Sequence, residues 1–244
     1  MEKIISYPIS IIFYLSFGLF LVIFHPIQWV CLNVFGYQAH KKSVDYLNFF
    51  LARCTNLLGT RYSFENRDTV PINVPIIFVA NHQSLYDIVG IIWYLRRFHP
   101  KFVSKKELGK GVPSVSYNLR HGGSVLIDRN DPKQAIPIIK GLGEYIEKYK
   151  RSAVIFPEGT RSKNGKPKEF AQSGLKILCK SAPSAFVVPI TINNSWKIVK
   201  FGVFPLGLGN HLQFIIHEAI PVNEFSFEEL MEKTEKAVTR SIKI

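Results

Sequence analysis

The first 40 residues constrain the fold of this chain more than any other segment. No Asp, Glu, Lys or Arg occurs between Lys3 and Lys41, and residues 4 to 24 form a run of 21 uncharged residues rich in Ile, Leu, Phe and Val. A helix of that length can cross a bilayer. Because lipid offers no hydrogen-bond partners to the backbone, a segment of this composition that enters a membrane has to be helical.

Three membrane arrangements and one soluble arrangement compete for this segment. A cleavable signal peptide is disfavoured, because the run exceeds a usual signal core and no small-residue cleavage site follows it. A single span would leave the following domain in the cytoplasm, beside Lys41 and Lys42. A re-entrant helix pair fits equally well, because His25-Pro26 interrupts the run and residues 27 to 37 continue it. A buried core helix would need a larger protein around it.

Charge and cysteine content narrow the possible partners and cofactors. The chain has 244 residues and a net charge of +13, and its basic excess lies after residue 40. Such a surface favours anionic partners, namely nucleic acid, anionic lipid, phosphorylated small molecules or an acidic carrier protein. The three cysteines (Cys31, Cys54 and Cys179) are widely spaced and predict neither disulfides nor a metal site, which fits a reducing compartment. We expect no metal and no nucleotide cofactor, since no zinc spacing or glycine-rich fingerprint occurs.

Beyond residue 74, short apolar runs alternate with helical patterns. The predicted strands cover residues 74–80, 102–104, 124–127, 153–156, 186–192 and 212–217. The predicted helices cover residues 84–96, 132–149, 170–180 and 226–240, the last starting with a Ser226/Glu229 capping box. This alternation predicts an α/β fold with an open, largely parallel sheet flanked by helices. The expected organisation is a membrane element over residues 1–40 and a second domain over residues 41–244, joined by a helix near residues 41–60.

Polar residues follow three of the predicted strands by two positions. They are His82, Arg129 and Glu158. Ligands of open α/β sheets bind beyond the carboxyl ends of the strands, so these side chains are expected to approach one site.

The segment from Asn81 to Asp87 contains a candidate general base. A neutral imidazole at His82 could take a proton from an attacking alcohol, with Asp87 fixing its tautomer. Taken alone, the pair is better explained as a helix start, with Asn81 or Ser84 as the cap and Asp87 solvated in the first turn.

The segment Phe156-Pro157-Glu158-Gly159-Thr160-Arg161-Ser162 favours the general-base interpretation of His82 and Asp87 over the helix start. It predicts a tight turn after a buried strand, where Glu158 could accept hydrogen bonds from substrate hydroxyls and Arg161 could hold a phosphate. The simpler alternative is a surface turn with an exposed ion pair. No Ser or Cys stands in a nucleophile-elbow pattern, so His82 is expected to activate an incoming hydroxyl rather than an enzyme nucleophile.

Four blocks of sequence resemble the glycerolipid acyltransferase family, most closely its bacterial 1-acylglycerol-3-phosphate acyltransferases. The blocks are Asn81 to Asp87, Lys105 to Leu108 with Pro113 and residues 123–129, Phe156 to Ser162, and Val188-Pro189-Ile190. They cover about half of the chain. Two departures are Ser116, where many relatives have glycine, and a loop at residues 109–113 that is one residue longer than usual.

The resemblance implies acyl transfer from a thioester, without an acyl-enzyme, to the 2-hydroxyl of lysophosphatidate, giving phosphatidate for phospholipid biosynthesis. It also implies His82 as the base, Asp87 as its orienting partner, and a substrate site formed by Lys105 or Lys106, Arg129, Glu158, Gly159, Thr160 and Arg161. The co-substrate would be acyl-CoA or acylated carrier protein, and the enzyme would lie on the cytoplasmic side of the inner membrane.

Other interpretations stay open at this point. The same chemistry could act on glycerol-3-phosphate, another lysophospholipid or a lyso-aminolipid. A non-catalytic membrane adaptor is a remote alternative, and a nucleic-acid binder is disfavoured because no recognised motif accompanies the basic residues. Residues 196–208 mix basic and aromatic side chains, which is typical of a half-buried strand and turn or, less often, of a lipid contact.

Overall fold

The computed structural model describes residues 1–243, which form helices on both faces of one sheet. The helices are α1 (Glu2–Phe35), α2 (Tyr37–Asn56), α3 (Tyr86–Tyr94), α4 (Val115–His121), α5 (Pro132–Tyr149), α6 (Gln172–Ser181) and α7 (Phe227–Arg240). The strands are β1 (Arg61–Glu65), β2 (Ile76–Ala80), β3 (Pro100–Lys105), β4 (Val125–Ile127), β5 (Ser152–Ile155), β6 (Phe186–Asn193), β7 (His211–Ile216) and β8 (Ile220–Pro221). The sequence prediction missed α4, β1 and β8, which are short or only partly buried.

The sheet has the order β1-β7-β6-β2-β5-β3-β4, with β8 paired to β6. Strands β6, β2, β5, β3 and β4 are parallel, whereas β7 and β8 pair with β6 in the antiparallel sense. The predicted open, largely parallel sheet is therefore confirmed. The carboxyl ends of β2, β3, β4 and β5 meet at one edge, where the loops that follow them converge.

The two faces of the sheet have separate cores, because successive residues of a strand point to opposite sides. Ile76, Phe78 and Ala80 of β2 pack toward α1, α2 and α3. Ile77 and Val79 pack toward α5, α6 and α7. The amino-terminal helices and α5 consequently lie on opposite faces of the molecule.

Helix α1 is continuous, so the break at His25-Pro26 that the re-entrant alternative requires is absent. The helix runs through Pro26, and the chain turns at Gly36, whose φ of +81° suits glycine. The loop before α4 binds the helix next to the proline and one turn earlier: the Ser114 N–H donates to His25 Nδ1 (3.0 Å), and Ser114 Oγ donates to the Leu21 carbonyl (2.6 Å). Tertiary contacts thus support the helix where proline removes a backbone donor.

One stripe of α1 packs against the domain and the rest is exposed and apolar. The buried stripe includes Ser6, Ser10, Phe13, Phe24 and Gln28. The exposed large side chains include Ile4, Ile12, Leu15, Leu19, Val22, Trp29, Val34 and Phe35. Only 17% of the most apolar window is buried, which rules out a core helix. An exposed apolar surface of this length requires a lipid or protein environment.

Candidate active site

The segment after β2 is fixed by side chains that bond to backbone on a neighbouring strand. Asn81 exchanges two hydrogen bonds with the backbone of Ile192, at 2.8 and 2.7 Å. Gln83 Oε1 accepts from the Ser195 N–H at 3.0 Å. Both contacts cross from the end of β2 to the end of β6, so the two strand ends hold His82 between them.

His82 and Asp87 form a directly bonded pair. His82 Nδ1 lies 2.8 Å from Asp87 Oδ2, and the aspartate is fully buried. The same oxygen accepts the backbone N–H groups of Gln83 and Ser84, at 2.7 and 2.9 Å. The interpretation of Asp87 as a solvated residue at a helix start is therefore wrong. A carboxylate oxygen has no proton to donate, so Nδ1 of His82 carries the proton of the 2.8 Å bond. The lone pair of the imidazole is then on Nε2.

The free side of the imidazole is the one that a substrate can reach. His82 Nε2 makes no hydrogen bond within residues 1–243, and the side chain is 13% exposed. One face of the ring stacks on Phe156, with the ring centroids 4.1 Å apart and the planes at 17°. Phe156 follows β5 directly, so a second strand end fixes the plane of the imidazole. Sequence reasoning included Phe156 in the motif but gave it no role.

Glu158 connects the two predicted motifs through the backbone. Its Oε1 accepts the His82 N–H at 2.9 Å and its Oε2 accepts the Lys168 N–H at 3.2 Å. The Ser162 N–H donates in turn to the His82 carbonyl at 2.8 Å. Burial raises the pKa of Glu158 to about 7, although both backbone donors oppose that shift. The alternative of an exposed ion pair in this turn is wrong, because Glu158 is only 8% exposed.

The turn after Glu158 combines an open backbone with exposed cations. Gly159 has a φ of +67°, and no atom lies within 4 Å of where a side chain would begin, which leaves room for a ligand. Its carbonyl accepts a hydrogen bond from Arg129 Nη1, and Thr160 Oγ1 accepts one from Lys168 Nζ at 2.6 Å. The Arg161 side chain is exposed and has no hydrogen-bond or ion-pair partner among residues 1–243.

The two candidate lysines at the end of β3 differ in their environment. Lys106 forms an ion pair with Asp128, which raises the pKa of Lys106. Lys105 is exposed and has no ion-pair partner among the described residues. Its partner in the β3–β4 register is Ile127, so it lies at the same edge of the sheet as Arg129. The structure therefore favours Lys105 over Lys106 as a cation available to a substrate.

The two departures from the family pattern occur within one closed loop. Ser116 Oγ donates to the Leu108 carbonyl at 2.9 Å and accepts the Val112 N–H at 3.1 Å. The hydroxyl thus closes the longer loop with two hydrogen bonds that glycine could not make. Within residues 1–243, no hydrogen bond or ion pair joins this loop to His82 or Asp87.

Comparison with known families identifies the fold and the class of enzyme. A family model described as Acyltransferase matches residues 61–193, which is more than half of the chain and includes His82, Asp87 and the turn at Glu158. The chain belongs to the acyltransferase family. It is therefore an enzyme of the acyl-transfer class, which removes the non-catalytic adaptor from consideration.

Individual members of the acyltransferase family give the same result. A 1-acyl-sn-glycerol-3-phosphate acyltransferase of Helicobacter pylori is 34% identical over 167 residues, covering 66% of this chain and 67% of that protein. The chloroplastic LPAT1 acyltransferase of Arabidopsis thaliana is 31% identical over 66% of this chain, and the match spans 44% of the plant protein. The crystal structure of the 1-acyl-sn-glycerophosphate (LPA) acyltransferase PlsC from Thermotoga maritima superposes with a TM-score of 0.78 at 25% identity, covering 98% of this chain and 95% of that one.

Proposed function

We propose that this acyltransferase transfers an acyl group from a thioester to the 2-hydroxyl of 1-acylglycerol-3-phosphate, giving phosphatidate. The observation that carries the proposal is the 2.8 Å pair of His82 Nδ1 and Asp87 Oδ2, which leaves Nε2 free beside a turn containing the exposed Arg161. The acceptor named for the relatives from Helicobacter pylori and Arabidopsis thaliana supports the same substrate.

The reaction needs one base and no enzyme nucleophile. His82 Nε2 takes the proton of the 2-hydroxyl as its oxygen attacks the thioester carbonyl carbon. The tetrahedral intermediate then breaks the carbon–sulfur bond, and the imidazolium returns the proton to the departing thiolate. The serine of the motif, Ser84, is fully buried and bonded to Ser195 and Asp87, so a direct transfer is favoured over an acyl-enzyme.

The cations around Gly159 suit the phosphate of the acceptor. Among the described residues, Arg161 and Lys105 have no partner that competes for their charge, whereas Arg129 donates a hydrogen bond to the Gly159 carbonyl. A guanidinium can hold two phosphate oxygens at once. The side chains of Glu158 and Thr160 form hydrogen bonds within the protein. They therefore shape the acceptor site by fixing the position of its backbone.

In this proposal, helix α1 anchors the enzyme in the cytoplasmic leaflet of the inner membrane. A helix of 34 residues is about 50 Å long and exceeds the hydrocarbon core of a bilayer. Both of its ends are bonded to the domain, through Glu2 with Lys200 and Asn33 with Tyr117. A crossing helix would draw those polar contacts into hydrocarbon, whereas a helix lying along one leaflet leaves them near the headgroups.

The central experiment supplies the purified full chain in phospholipid vesicles with an acyl thioester and lysophosphatidate. We expect release of free thiol and formation of phosphatidate in equal amounts. Binding without turnover would contradict the proposal, and a higher kcat/KM for glycerol-3-phosphate or another lysolipid would reassign the acceptor. Parallel assays with acyl-CoA and with acylated carrier protein identify the thioester donor.

The orientation of α1 is tested with cysteines placed at Lys3 and Lys42, both of which are exposed. In sealed vesicles, a membrane-impermeant maleimide should label both positions from the same side. Labelling from opposite sides would show that the helix crosses the bilayer.

A further inference from the structure

The loop between β6 and β7 places an exposed apolar tip beside α1. The segment begins with a 3-10 helix at Ser195–Val199 and continues irregularly to β7, so the predicted half-buried strand is absent. Val203 is 80% exposed and Phe204 is 45% exposed. Neither side chain has a role in the proposed chemistry.

Contacts along its length fix this loop onto the amino-terminal half of α1. The Leu206 N–H donates to Ser10 Oγ at 2.8 Å, and the Leu208 N–H donates to Glu2 Oε1 at 3.2 Å. The Tyr14 hydroxyl donates to the carbonyl of Val203. The loop is therefore held in place against the helix, and its tip cannot fold back to bury Val203 without breaking these bonds.

The tip extends the apolar surface of the helix. Phe204 packs edge-on against Tyr7, with ring centroids 5.3 Å apart, and lies 6.4 Å from the ring of Tyr14. Tyr7 and Tyr14 are themselves about 40% exposed, on a helix whose uncovered face is apolar. The loop and the helix together present one continuous apolar surface, flanked by tyrosines of the kind found where bilayers meet water.

Basic side chains border that surface. Lys3 Nζ and Lys200 Nζ lie 5.9 and 5.0 Å from the ring centroid of Phe201. Lys200 is paired with Glu2, so Lys3 is the lysine here whose ammonium group can reach lipid phosphates while its stem stays in the interface. The arrangement of an apolar tip with an aromatic and basic border matches the layers of an anionic membrane surface.

The same loop leads directly to the candidate active site. Its first residues, Ser195 and Trp196, donate backbone N–H groups to Gln83 Oε1, one residue from the candidate base. The distance along the chain from Ser195 to Val203 is only eight residues. An element that enters the membrane here brings the headgroup layer to the carboxyl edge of the sheet, where a lipid acceptor has to arrive.

From these contacts we propose that the tip formed by Val203 and Phe204 inserts into the acyl region of an anionic bilayer as a second anchor beside α1. The inference rests on the membrane association in the proposed function and adds an attachment point on the catalytic domain itself. Its expected role is to set the orientation of the domain on the leaflet rather than to perform chemistry.

The test is an environment-sensitive NBD label on the full chain in vesicles of 70% phosphatidylcholine and 30% phosphatidylglycerol. The labelled variant is Val203→Cys in a Cys31→Ser background, where Cys54 and Cys179 are buried. We expect a blue-shifted emission and at least twofold quenching by lipids with a doxyl group on the acyl chain. Phe204→Cys provides a second labelling position if the first variant folds poorly.

The matched control is Ile136→Cys, because Ile136 is 50% exposed on α5, on the opposite face of the sheet. A label there should stay water-like and unquenched. If the label at residue 203 is as water-like as the one at 136 while the protein floats with the vesicles, the inference is wrong. If the unlabelled chain fails to float with vesicles at all, the membrane part of the proposed function fails instead.

A functional readout separates orientation from chemistry. Val203→Asp should lower kcat/KM for lysophosphatidate embedded in vesicles by about tenfold, because it disfavours insertion of the tip. Turnover of a short-chain, water-soluble acceptor should stay within about twofold of the wild type. Equal losses with both acceptors would overturn the proposed role of the tip.

Discussion

The two halves of the candidate active site are built differently. On the histidine side, Asp87 is fully buried and accepts three hydrogen bonds on one oxygen, and the ring of His82 is stacked on Phe156. On the arginine side, Arg161 and Lys163 are exposed and have no partner among residues 1–243. The fold therefore fixes the position and ring plane of the candidate base, whereas it leaves unpaired the cations that the proposed anionic substrate would contact.

The largest expected effect is at His82, on the histidine side of the site. His82→Ala should lower kcat by about 1,000-fold with little change in KM, since general bases contribute about 10²–10⁴-fold. Steady-state kinetics of phosphatidate formation measures this. His211→Ala, which removes an exposed histidine at the start of β7, is the matched control. Near-normal turnover of His82→Ala would eliminate the proposed base.

Removing the charge of Asp87 should have the next largest effect. In Asp87→Asn the amide NH₂ competes with His82 Nδ1–H, so the imidazole proton is driven to Nε2 and the base is lost. We expect kcat to fall by about 100-fold or more. Asp131→Asn is the control, because Asp131 caps α5 and asparagine caps equally well. An unchanged kcat for Asp87→Asn would show that the pair does not set the tautomer.

Substitutions on the arginine side should change KM more than kcat. Arg161→Ala should raise KM for lysophosphatidate by about 10–100-fold, the range expected for a charge-assisted hydrogen bond to phosphate, while kcat changes less. Lys163→Ala, in the same turn, should change KM by less than about threefold. A fall in kcat alone for Arg161→Ala would place this side chain on the histidine side of the site instead.

The hydrogen bond from the His82 N–H places Glu158 on the histidine side of the site, although its sequence context suggested substrate binding. Glu158→Gln replaces one acceptor oxygen by an amide donor, so one of the two backbone hydrogen bonds is lost and His82 moves. We expect kcat to fall by about tenfold with KM for the acceptor within about twofold. Glu169→Gln, an exposed neighbour, serves as the control. A dominant rise in KM would return Glu158 to the substrate-binding role.

The smallest effect concerns stability and pH. The pKa of Glu158 is raised to about 7 in the folded protein, from an ordinary value of 4.5, so the folded state binds the proton more tightly. Its stabilising contribution is present below about pH 4.5 and is lost as pH rises through 7. The Tm of the wild type, measured from pH 5 to 8 and compared with that of Glu158→Gln, should fall more steeply with pH. Parallel curves would show that this carboxyl is not the titrating group.

The sequence predicted the helix over residues 132–149 and the capping box at Ser226 correctly, because periodicity, proline placement and capping act within a few residues of chain. It placed His82, Glu158 and Arg129 after strands that meet at one edge. Its re-entrant alternative placed a break at His25-Pro26 that the helix does not have, since the hydrogen bonds that support the helix there come from Ser114, 89 and 93 positions away. It gave Glu158 a substrate-binding role and did not show that this side chain bonds to the His82 backbone, since no local pattern reveals such a bond.

What the sequence alone determined is the alternation of elements, the lipid-seeking start of the chain and the two motifs that resemble acyltransferases. Only the tertiary structure decided that β2 lies between β5 and β6, that Glu158 joins the two motifs, and which stripe of α1 faces the domain. The physical reason is the separation along the chain between the residues that interact. Hydrophobic period and capping are properties of neighbouring residues, whereas strand order and buried hydrogen bonds are fixed by the packing of segments far apart in the chain.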